Sequence, residues 1–526
     1  MALLKKGVGK MAKKVLIKEG TYYDSVTLMS VAKDVKKLDG VKETVIVMGT
    51  DANKEIADAA GLLLPEVEEA QANDLVIVVQ GEEDILDEAF MKIEDTLREK
   101  KAAGDTGQEY KPSTIDGALE VQPDSNLVII SVAGQFAARE ARKALNRGLH
   151  VMLFSDNVPV EQEIELKKLA NEKGLLLMGP DCGTAIINQA PLAFANVVDK
   201  GPVGIVAASG TGAQAVSSLV DRLGVGLSQV IGTGGRDLKS KVKGLEMMKD
   251  FRALVEDEDT EVIVLVSKPP AKEVSEMIMD EVKKVDKKVV VNFLGGDPAM
   301  VEGTNAVFAG NMEEAAYKAV ELARGEGQKV AGLSEEEIRT IVAEETAGMS
   351  SEQKYLRGLY TGGTLCSEAL LFITNEYGDI YSNIPVKEEY GLKEDLKSIE
   401  NTVIDLGEDD FTTGRPHPMI EPSLRSERLL EEIEDDKVAV ILLDVVIGYG
   451  SHMDPAGEVA DAIKEAKKAV AERGGYLSVI ASVCGTDKDP QNLEAQERKL
   501  REVGARVLPT NVQAARVVTE ILKAIK

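Results

Sequence analysis

The sequence predicts an α/β protein of several domains that is built around parallel sheets. Short β-branched runs recur along the chain, and a longer stretch with apolar residues at helical spacing follows each of them. This alternation is typical of a parallel sheet whose two faces are covered by helices. The chain has 526 residues, of which 44% are hydrophobic and 29% are charged. That composition indicates a globular protein, with roughly 150 residues per domain.

The apolar runs predict nine buried strands, and two polar stretches predict domain boundaries. Buried strands are predicted at Thr44–Met48, Leu75–Val79, Leu127–Val132, Val203–Ala207, Val262–Val266, Lys288–Phe293, Thr402–Leu406, Val438–Asp444 and Leu477–Val483. Two polar stretches interrupt this rhythm at Ala102–Thr114 and Gly325–Gly348, and the second contains an acidic helix over Ser334–Glu345. We interpret both stretches as domain boundaries.

The acidic composition excludes several classes of protein. With 90 Asp and Glu against 62 Lys and Arg, the formal net charge is −28, which would repel nucleic acid and anionic membranes. The cysteines lie far apart without a CxxC spacing, so the sequence predicts neither a disulfide framework nor a metal site. Because no apolar run reaches the ~18 residues that span a bilayer, we expect a cytoplasmic protein with reduced thiols.

Two parts of the chain repeat the same order of strands, loops and helices. The first copy, residues 200–325, ends in a helix that begins near Asn311. The second copy, residues 355–525, ends in a helix that begins near Asn511, and it is longer because residues 377–435 carry an insertion. The repeat predicts two similar flavodoxin-like domains whose strand ends face one another.

Each copy places a glycine loop between its first strand and the following helix. The loops consist of Ser209, Gly210, Thr211 and Gly212 in the first copy, and of Thr361, Gly362, Gly363 and Thr364 in the second. Glycine lets an anion approach the free N–H groups of a helix start, and Ser or Thr can add a hydroxyl. We predict that both loops bind phosphate, although neither is a Walker A or GxGxxG motif. The alternative is that the glycines only permit tight packing.

Three more glycine-rich clusters follow apolar runs, at residues 179–184, 232–237 and 448–455. Ligands of open α/β sheets bind at the carboxyl ends of strands. We therefore predict that these clusters converge with the two loops on one crevice, and that its ligand-binding residues include Gly234, Gly235 and Arg236. Each cluster could instead be simple turn chemistry.

Two of the three histidines are candidate catalytic residues. His417 lies between two prolines and shortly after Arg415, in a stiff loop, and His452 lies in the last glycine-rich cluster. We predict that Arg415 and His417 lie over the bound anion as charge donors, with a structural role as the alternative. His150 is interpreted as a structural residue at a strand end, and Cys366 as a small buried residue rather than a reactive thiolate.

These clusters resemble the succinyl-CoA synthetase superfamily, the NDP-forming acyl-CoA ligases, and more closely its FdrA branch. The motifs that carry the likeness are Gly-Pro-Asp-Cys at 179, Val-Gly-Ile-Val-Ala-Ala-Ser-Gly-Thr at 203, Gly-Thr-Gly-Gly-Arg-Asp-Leu at 232, Gly-Arg-Pro-His-Pro-Met at 414 and Leu-Asp-Val-Val-Ile-Gly-Tyr-Gly-Ser-His at 443. The resemblance implies an N-terminal α/β domain (1–114), a Rossmann-like CoA-binding-type domain (115–200), and flavodoxin-like domains similar to the ligase alpha subunit (201–330) and to the carboxyl domain of the beta subunit (331–526).

The resemblance implies a phosphate site without the usual phosphohistidine. In the ligases, helices after two glycine loops point at a phosphorylated histidine of the alpha subunit, so this chain would join both helices in one polypeptide. Where the ligase motif would supply Gly-His-Ala-Gly, residues 301–306 read Val-Glu-Gly-Thr-Asn-Ala. The sequence also contains no recognisable ATP-grasp domain.

The FdrA branch is associated with anaerobic allantoin and purine breakdown, as one of several subunits of oxamate carbamoyltransferase. This implies reversible transfer from carbamoyl phosphate to oxamate, giving oxalurate and phosphate, in a hetero-oligomer that requires no cofactor. The phosphate motif of other carbamoyltransferases is missing, and we regard the run Ser423–Arg428 as a chance likeness. Two alternatives stay open: an acyl-CoA synthetase subunit that binds CoA or nucleotide, and a noncatalytic scaffold or sensor with a degenerate anion pocket.

Overall fold

The structure is a computed structural model, and it describes residues 11–21, 23, 25–38, 40–104, 112, 114–325, 332–393, 395–412 and 415–526. The chain forms two compact units, Met1–Pro112 with Thr413–Pro416 and Ser113–Thr412 with His417–Lys526. Strands and helices alternate in both units, which confirms the predicted α/β class. No helix within the described ranges is long and apolar enough to cross a membrane.

The first unit is a three-stranded sheet with helices on both faces. Its strands are β1 (Met11–Lys18), β2 (Val41–Met48) and β3 (Leu75–Glu82), and its helices are α1 (Ser25–Lys36), α2 (Asp51–Ala59), α3 (Pro65–Glu69) and α4 (Leu86–Gly104). The run Leu75–Val79 of β3 is wholly buried. It lies between α1 and α4 on one face and α2 and α3 on the other.

This sheet is antiparallel, so the expectation of parallel sheets is wrong for the first unit. β3 lies between β1 and β2 and runs antiparallel to both. A strand that is covered on both faces is one apolar run, whatever the direction of its neighbours. The apolar pattern therefore located β2 and β3, but it predicted neither β1 nor how the strands pair.

The second unit begins with a small parallel sheet. Its strands β4 (Leu127–Ile130), β5 (His150–Leu153) and β6 (Leu177–Met178) lie in that order, with helices α5 (Ile115–Val121), α6 (Gly134–Asn146) and α7 (Val160–Lys173). At the start of β5, His150 Nδ1 accepts a hydrogen bond from the N–H of Leu176 (2.9 Å). The predicted structural role of this histidine is confirmed.

The next sheet has seven strands in the order β13-β12-β11-β9-β10-β7-β8. The strands are β7 (Thr184–Ile187), β8 (Ala190–Ala193), β9 (Lys200–Ala208), β10 (Leu227–Gly232), β11 (Val262–Ser267), β12 (Lys288–Phe293) and β13 (Ala306–Phe308). The helices are α8 (Gly210–Arg222), α9 (Leu245–Glu256), α10 (Lys272–Val282) and α11 (Met312–Arg324). Strands β9 to β13 are parallel, and the β7–β8 hairpin extends one edge in antiparallel fashion.

The last sheet is wholly parallel, with strand order β15-β14-β16-β17-β18. Its strands are β14 (Tyr355–Tyr360), β15 (Thr402–Asp405), β16 (Val438–Val446), β17 (Ser478–Cys484) and β18 (Arg506–Leu508). Its helices are α12 (Glu335–Thr346), α13 (Gly363–Glu376), α14 (Asp409–Thr412), α15 (Ser423–Glu432), α16 (Pro455–Glu472), α17 (Leu493–Glu502) and α18 (Asn511–Ala524). Helix α12 is the predicted acidic helix, and Ser334 begins it with a capping box.

The parallel parts of the two large sheets have the same topology. The orders β10-β9-β11-β12-β13 and β15-β14-β16-β17-β18 both follow the flavodoxin-like pattern 2-1-3-4-5. In such sheets ligands bind beyond the carboxyl ends of the strands, where the strand order reverses. This point lies between β9 and β11 in one sheet and between β14 and β16 in the other. The glycine loops directly follow β9 and β14.

One hydrophobic core joins the two large sheets. It contains buried residues of α8 and α11 from one layer and of α13 and α18 from the other, including Val216, Ala316, Ala369 and Val518. Helix α8 packs directly against α13. These two helices follow the glycine loops, so the core also determines how the loops meet.

Candidate functional site

The two glycine loops contact each other directly. Ser209 is the N-cap of α8, and Gly362 is the N-cap of α13. The hydroxyl oxygens of Ser209 and Thr364 lie 2.6 Å apart, and the N–H of Thr364 donates to Thr211 Oγ1 (3.2 Å). The two helix starts therefore lie at one place, as expected from the repeat.

Three backbone N–H groups at this junction are free to bind a ligand. In α8, Ser209 Oγ accepts the N–H of Gly212 (3.0 Å). The N–H groups of Gly210 and Thr211, and that of Gly363 in α13, have no protein acceptor among the described residues. Free N–H groups at helix starts carry partial positive charge and bind anions. The arrangement is suited to a phosphate or a carboxylate.

A buried aspartate accepts hydrogen bonds from other backbone N–H groups of the second loop. Asp444 on β16 accepts the N–H groups of Thr361 (2.8 Å) and Gly362 (2.7 Å). Arg425 Nη1 lies 3.3 Å from the same carboxylate, and both side chains are buried. Since the N–H groups of Thr361 and Gly362 are already bonded, the free donor of this loop is Gly363.

Lys268 brings a positive charge to the same helix start. It directly follows β11, at the switch point of its sheet. A Cβ placed on Gly363 would lie 3.4 Å from Lys268 Nζ. The ammonium is 3.8 Å from Glu408 Oε1, and both side chains are partly exposed. An ion pair of this kind is weak, so the ammonium is available to a bound anion.

The carboxyl group of Asp405 also lies at the start of α13. Asp405 ends β15 and is 1% exposed. Its Oδ1 accepts the N–H of Gly407 (2.9 Å), and a Cβ on Gly363 would lie only 2.6 Å from Oδ2. Glycine at 363 therefore leaves room for the carboxyl group. Burial raises the pKa of Asp405 to about 7, with Lys268 acting in the opposite direction.

His417 lies near Asp405 as a neutral ring. A Cβ on Gly407 would lie 2.7 Å from His417 Nε2 and 3.1 Å from Asp405 Oδ1. His417 Nδ1 accepts the N–H of Met419 (3.2 Å), which places the ring proton on Nε2. Burial lowers the pKa of His417 to about 4. The ring can offer an N–H, but at neutral pH it does not carry the charge that we expected from the sequence.

The pair Gly234 and Gly235 packs against the loop that holds Pro180 and Asp181. Gly234 has a φ of +87°, and a Cβ there would lie 2.1 Å from the carbonyl oxygen of Pro180. A Cβ on Gly235 would lie 3.2 Å from Asp181 Oδ2. Asp181 is exposed, and Lys268 is among the charged groups that act on its carboxyl group. This loop therefore borders the same site.

Arg236 is engaged within the protein. Its Nη2 lies 2.9 Å from Glu163 and donates to the carbonyl oxygen of Val158 (2.7 Å). Glu163 also pairs with Lys167, a fully buried residue whose ammonium lies 2.7 Å from Asp237. These ion pairs tie α7 to the loop after β10. Arg236 is thus part of a structural network and is not a free cation.

The other predicted residues have different surroundings. Arg415 is exposed and is grouped with the first compact unit, and its place over the anion stays a prediction. His452 Nδ1 accepts the N–H of Asp454 (3.1 Å), and the N–H of His452 donates to the carbonyl oxygen of Met419 (2.8 Å). Cys366 is fully buried, and burial raises the pKa of its thiol well above the usual range. The prediction of a buried, unreactive Cys366 is confirmed.

Two residues of this site, Lys268 and Asp405, belong to none of the motifs found in the sequence, whereas Asp444 lies in the motif at 443 but was not predicted to be a site residue. Each lies in or just after a predicted buried strand. Polar residues at the carboxyl ends of parallel strands are the usual ligand contacts of such sheets. Their position at the carboxyl ends of strands could therefore have identified Lys268 and Asp405 as candidate site residues from the sequence.

Comparison with known proteins shows the family. A model described as AllF, heavy metal-associated domain, matches residues 11–113, a CoA-binding domain model matches 198–296, and a CoA-ligase model matches 359–521. The chain is 45% identical over 496 residues to uncharacterized protein YahF of Escherichia coli (strain K12), covering 94% of this chain and 95% of YahF. The chain belongs to the FdrA family.

This FdrA-family protein is succinyl-CoA synthetase-like and is related to the NDP-forming acyl-CoA ligases. It is 28% identical over 235 residues to subunit alpha 2 of the ADP-forming succinate–CoA ligase of Archaeoglobus fulgidus, covering 42% of this chain and 78% of that subunit. A solved structure of the dinucleotide-forming acetyl-coenzyme A synthetase 1 of Ca. Korarchaeum cryptofilum covers 77% of this chain and 84% of its own, with 17% identity and a TM-score of 0.28.

The segment that matches the heavy metal-associated model lacks heavy-metal ligands. Thiolates and imidazoles are the ligands that such metals prefer, and all three cysteines and all three histidines lie outside residues 11–113. In the described part of the chain, no group of three His, Cys, Asp or Glu could hold a metal ion. The residues of this unit therefore do not fit a heavy metal.

Proposed function

We propose that this protein transfers a carbamoyl group between carbamoyl phosphate and oxamate. It would act as the FdrA-type subunit of an oxamate carbamoyltransferase in anaerobic allantoin and purine breakdown, and the products would be oxalurate and phosphate. The observation that carries this proposal is the 2.6 Å contact between the hydroxyls of Ser209 and Thr364. That contact joins two helix starts whose free N–H groups suit a phosphate.

Two kinds of positive group would hold the phosphate. Each helix start carries a partial charge of roughly +0.5, so the two together balance about half of a dianion. The N–H groups of Gly210, Thr211 and Gly363 would make the hydrogen bonds, and the ammonium of Lys268 would supply the remaining charge. The same donors would stabilise the phosphate as it leaves.

Direct transfer explains how the protein would work without a phosphohistidine. The acceptor nitrogen attacks the carbamoyl carbon once both substrates are aligned, so no phosphorylated enzyme and no cofactor is required. The absence of histidine from residues 301–306 is compatible with this chemistry. We further propose that the other subunits of the transferase bind this chain in a cytoplasmic hetero-oligomer.

An assay with both substrates tests this function. The purified protein, alone and with the other subunits, is incubated with carbamoyl phosphate and oxamate, and phosphate and oxalurate are measured. We expect phosphate release that depends on oxamate. Lys268→Met should weaken carbamoyl phosphate binding by about 10- to 150-fold, because a hydrogen bond to a charged group contributes about 1.5–3 kcal/mol. Lys272→Met, on an exposed lysine of α10, is the matched control. No oxamate-dependent release from any preparation would refute the proposal.

The similarity to a succinate–CoA ligase subunit favours a second candidate, an acyl-CoA synthetase subunit that relies on a partner for nucleotide binding. The same preparations, supplied with CoA, a nucleotide and a carboxylic acid, test this reading. Acylation of CoA without carbamoyl transfer would select the synthetase. Phosphate binding without either activity would select a noncatalytic scaffold or sensor.

A further inference from the structure

We propose that Asp405 is the base that removes a proton from the attacking nitrogen of the acceptor. This inference rests on the proposed carbamoyl transfer and adds the group that moves the proton. It comes from the position of the carboxyl group beside the start of α13, where the phosphate would bind.

The carboxyl group of Asp405 is held rigidly and has one free oxygen. The side chain of Asn383 accepts the backbone N–H of Asp405 (3.0 Å) and donates to its carbonyl oxygen (2.9 Å). Oδ1 of Asp405 accepts the N–H of Gly407 (2.9 Å), whereas Oδ2 has no donor among the described residues. A Cβ on Gly363 would lie 2.6 Å from Oδ2, so the free oxygen faces the helix start.

The surroundings of Asp405 suit a group that both takes and returns a proton. The titratable groups that face it are Lys268, Glu408, Asp444, Cys366 and His417. Burial raises the pKa of Asp405 to about 7, Lys268 opposes this shift, and Glu408 adds to it. An acid or base is most effective when its pKa lies near the working pH.

The proposed step balances in atoms and electrons. The acceptor nitrogen forms a bond to the carbamoyl carbon, and its N–H proton passes to Asp405 Oδ2. The bond between that carbon and the phosphate oxygen breaks, and its electron pair stays on the phosphate. Asp405 then gives the proton to that oxygen, so hydrogen phosphate leaves and the carboxylate is restored.

Asp405→Asn tests the proposal in the complete transferase with all its subunits. We expect kcat to fall by at least about 100-fold with little change in carbamoyl phosphate affinity, measured by calorimetry. In the wild type, kcat/KM should rise with pH through about 7, because the deprotonated carboxyl is the active form, and this rise should be absent from the variant. Asp405→Glu, which keeps a carboxyl group, should recover part of the rate. Asp410→Asn, on an exposed neighbour, is the control.

The outcomes separate this inference from the proposed function. If the wild-type transferase shows no oxamate-dependent phosphate release, both fail. If the wild type is active and Asp405→Asn keeps its rate or its rise with pH, only the base is wrong. If the variant loses phosphate binding and thermal stability together with activity, and Asp405→Glu recovers nothing, Asp405 is a structural residue and the inference is overturned.

Discussion

The hydroxyl oxygens of Ser209 and Thr364 lie 2.6 Å apart, although the two residues are 155 positions apart in the chain. Each hydroxyl belongs to the beginning of a helix that follows the switch-point strand of its own sheet. Two sheets with the same topology thus meet at their ligand-binding ends. Single substitutions can test what each residue at this junction contributes to stability and to phosphate binding.

Ser209→Ala should weaken both folding and phosphate binding. The substitution removes the acceptor for the N–H of Gly212 and the partner of the Thr364 hydroxyl. Loss of an N-cap of this kind lowers the free energy of unfolding by about 1 kcal/mol. Urea unfolding and phosphate calorimetry measure the two effects. Ser334→Ala removes the N-cap of α12 and should lower stability alone, so equal losses of binding in both variants would contradict the assigned role of Ser209.

Gly363→Ala should damage the protein more than Gly210→Ala does. A Cβ at position 363 would lie 2.6 Å from Asp405 Oδ2, whereas the nearest atom to a Cβ at position 210 would be Thr184 Oγ1, at 3.6 Å. Overpacking destabilises a protein by about 1–3 kcal/mol, so we expect a loss of that size for Gly363→Ala only. Thermal unfolding of both variants measures it. Equal stability of the two would mean that the carboxyl group of Asp405 moves aside freely.

Arg425→Ala should be strongly destabilising. It leaves the carboxylate of Asp444 buried without its cation, and breaking a buried pair in this way lowers the free energy of unfolding by about 3–5 kcal/mol. Arg501→Ala is the control, because Arg501 pairs with Glu497 at 2.7 Å on the surface, and exposed pairs contribute about 1 kcal/mol or less. Urea unfolding compares them. Similar losses in both variants would show that Asp444 does not need Arg425.

Glu368 should make the protein less stable as pH rises. Its carboxyl group accepts hydrogen bonds from the N–H of Met312 (2.7 Å) and from Asn511 Nδ2 (2.8 Å). Burial nevertheless raises its pKa from 4.5 to about 7. Between these values the folded state holds a proton that the unfolded state has lost. The stabilising contribution is therefore complete below about pH 4.5 and is lost as pH rises through about 7, a change of about 3 kcal/mol.

Glu368→Gln should remove this pH dependence, because an amide does not titrate. Unfolding free energies measured from pH 5 to pH 8 should fall less steeply for the variant than for the wild type. Glu520→Gln, on an exposed glutamate, should retain the wild-type slope. A slope that Glu368→Gln leaves unchanged would contradict the raised pKa of Glu368.

Much of the architecture could be predicted from the sequence. Every predicted buried run overlaps a strand, because a strand buried on both faces must be a short apolar run. The prediction of burial is wrong for β4, where Ile129 is 49% exposed. The capped acidic helix α12 follows from Ser334 and Glu337, which satisfy each other's donors locally. The glycine loops mark tight turns from strand to helix, and such turns leave a local signature at Ser209 and Gly363.

Other properties depended on the tertiary structure. From the sequence Arg236 was expected to bind the ligand, but in the folded chain it forms an ion pair with Glu163. Lys268, which belongs to no motif, lies beside the start of α13. His417 was expected to carry a positive charge, but burial lowers its pKa and keeps it neutral. Burial also raises the pKa of Asp405, so this carboxyl group can hold a proton near pH 7. The sequence by itself determined which polar groups exist and where the predicted strands lie. Only the folded chain decided which groups are neighbours and which are desolvated, and these two conditions set the charge of each group.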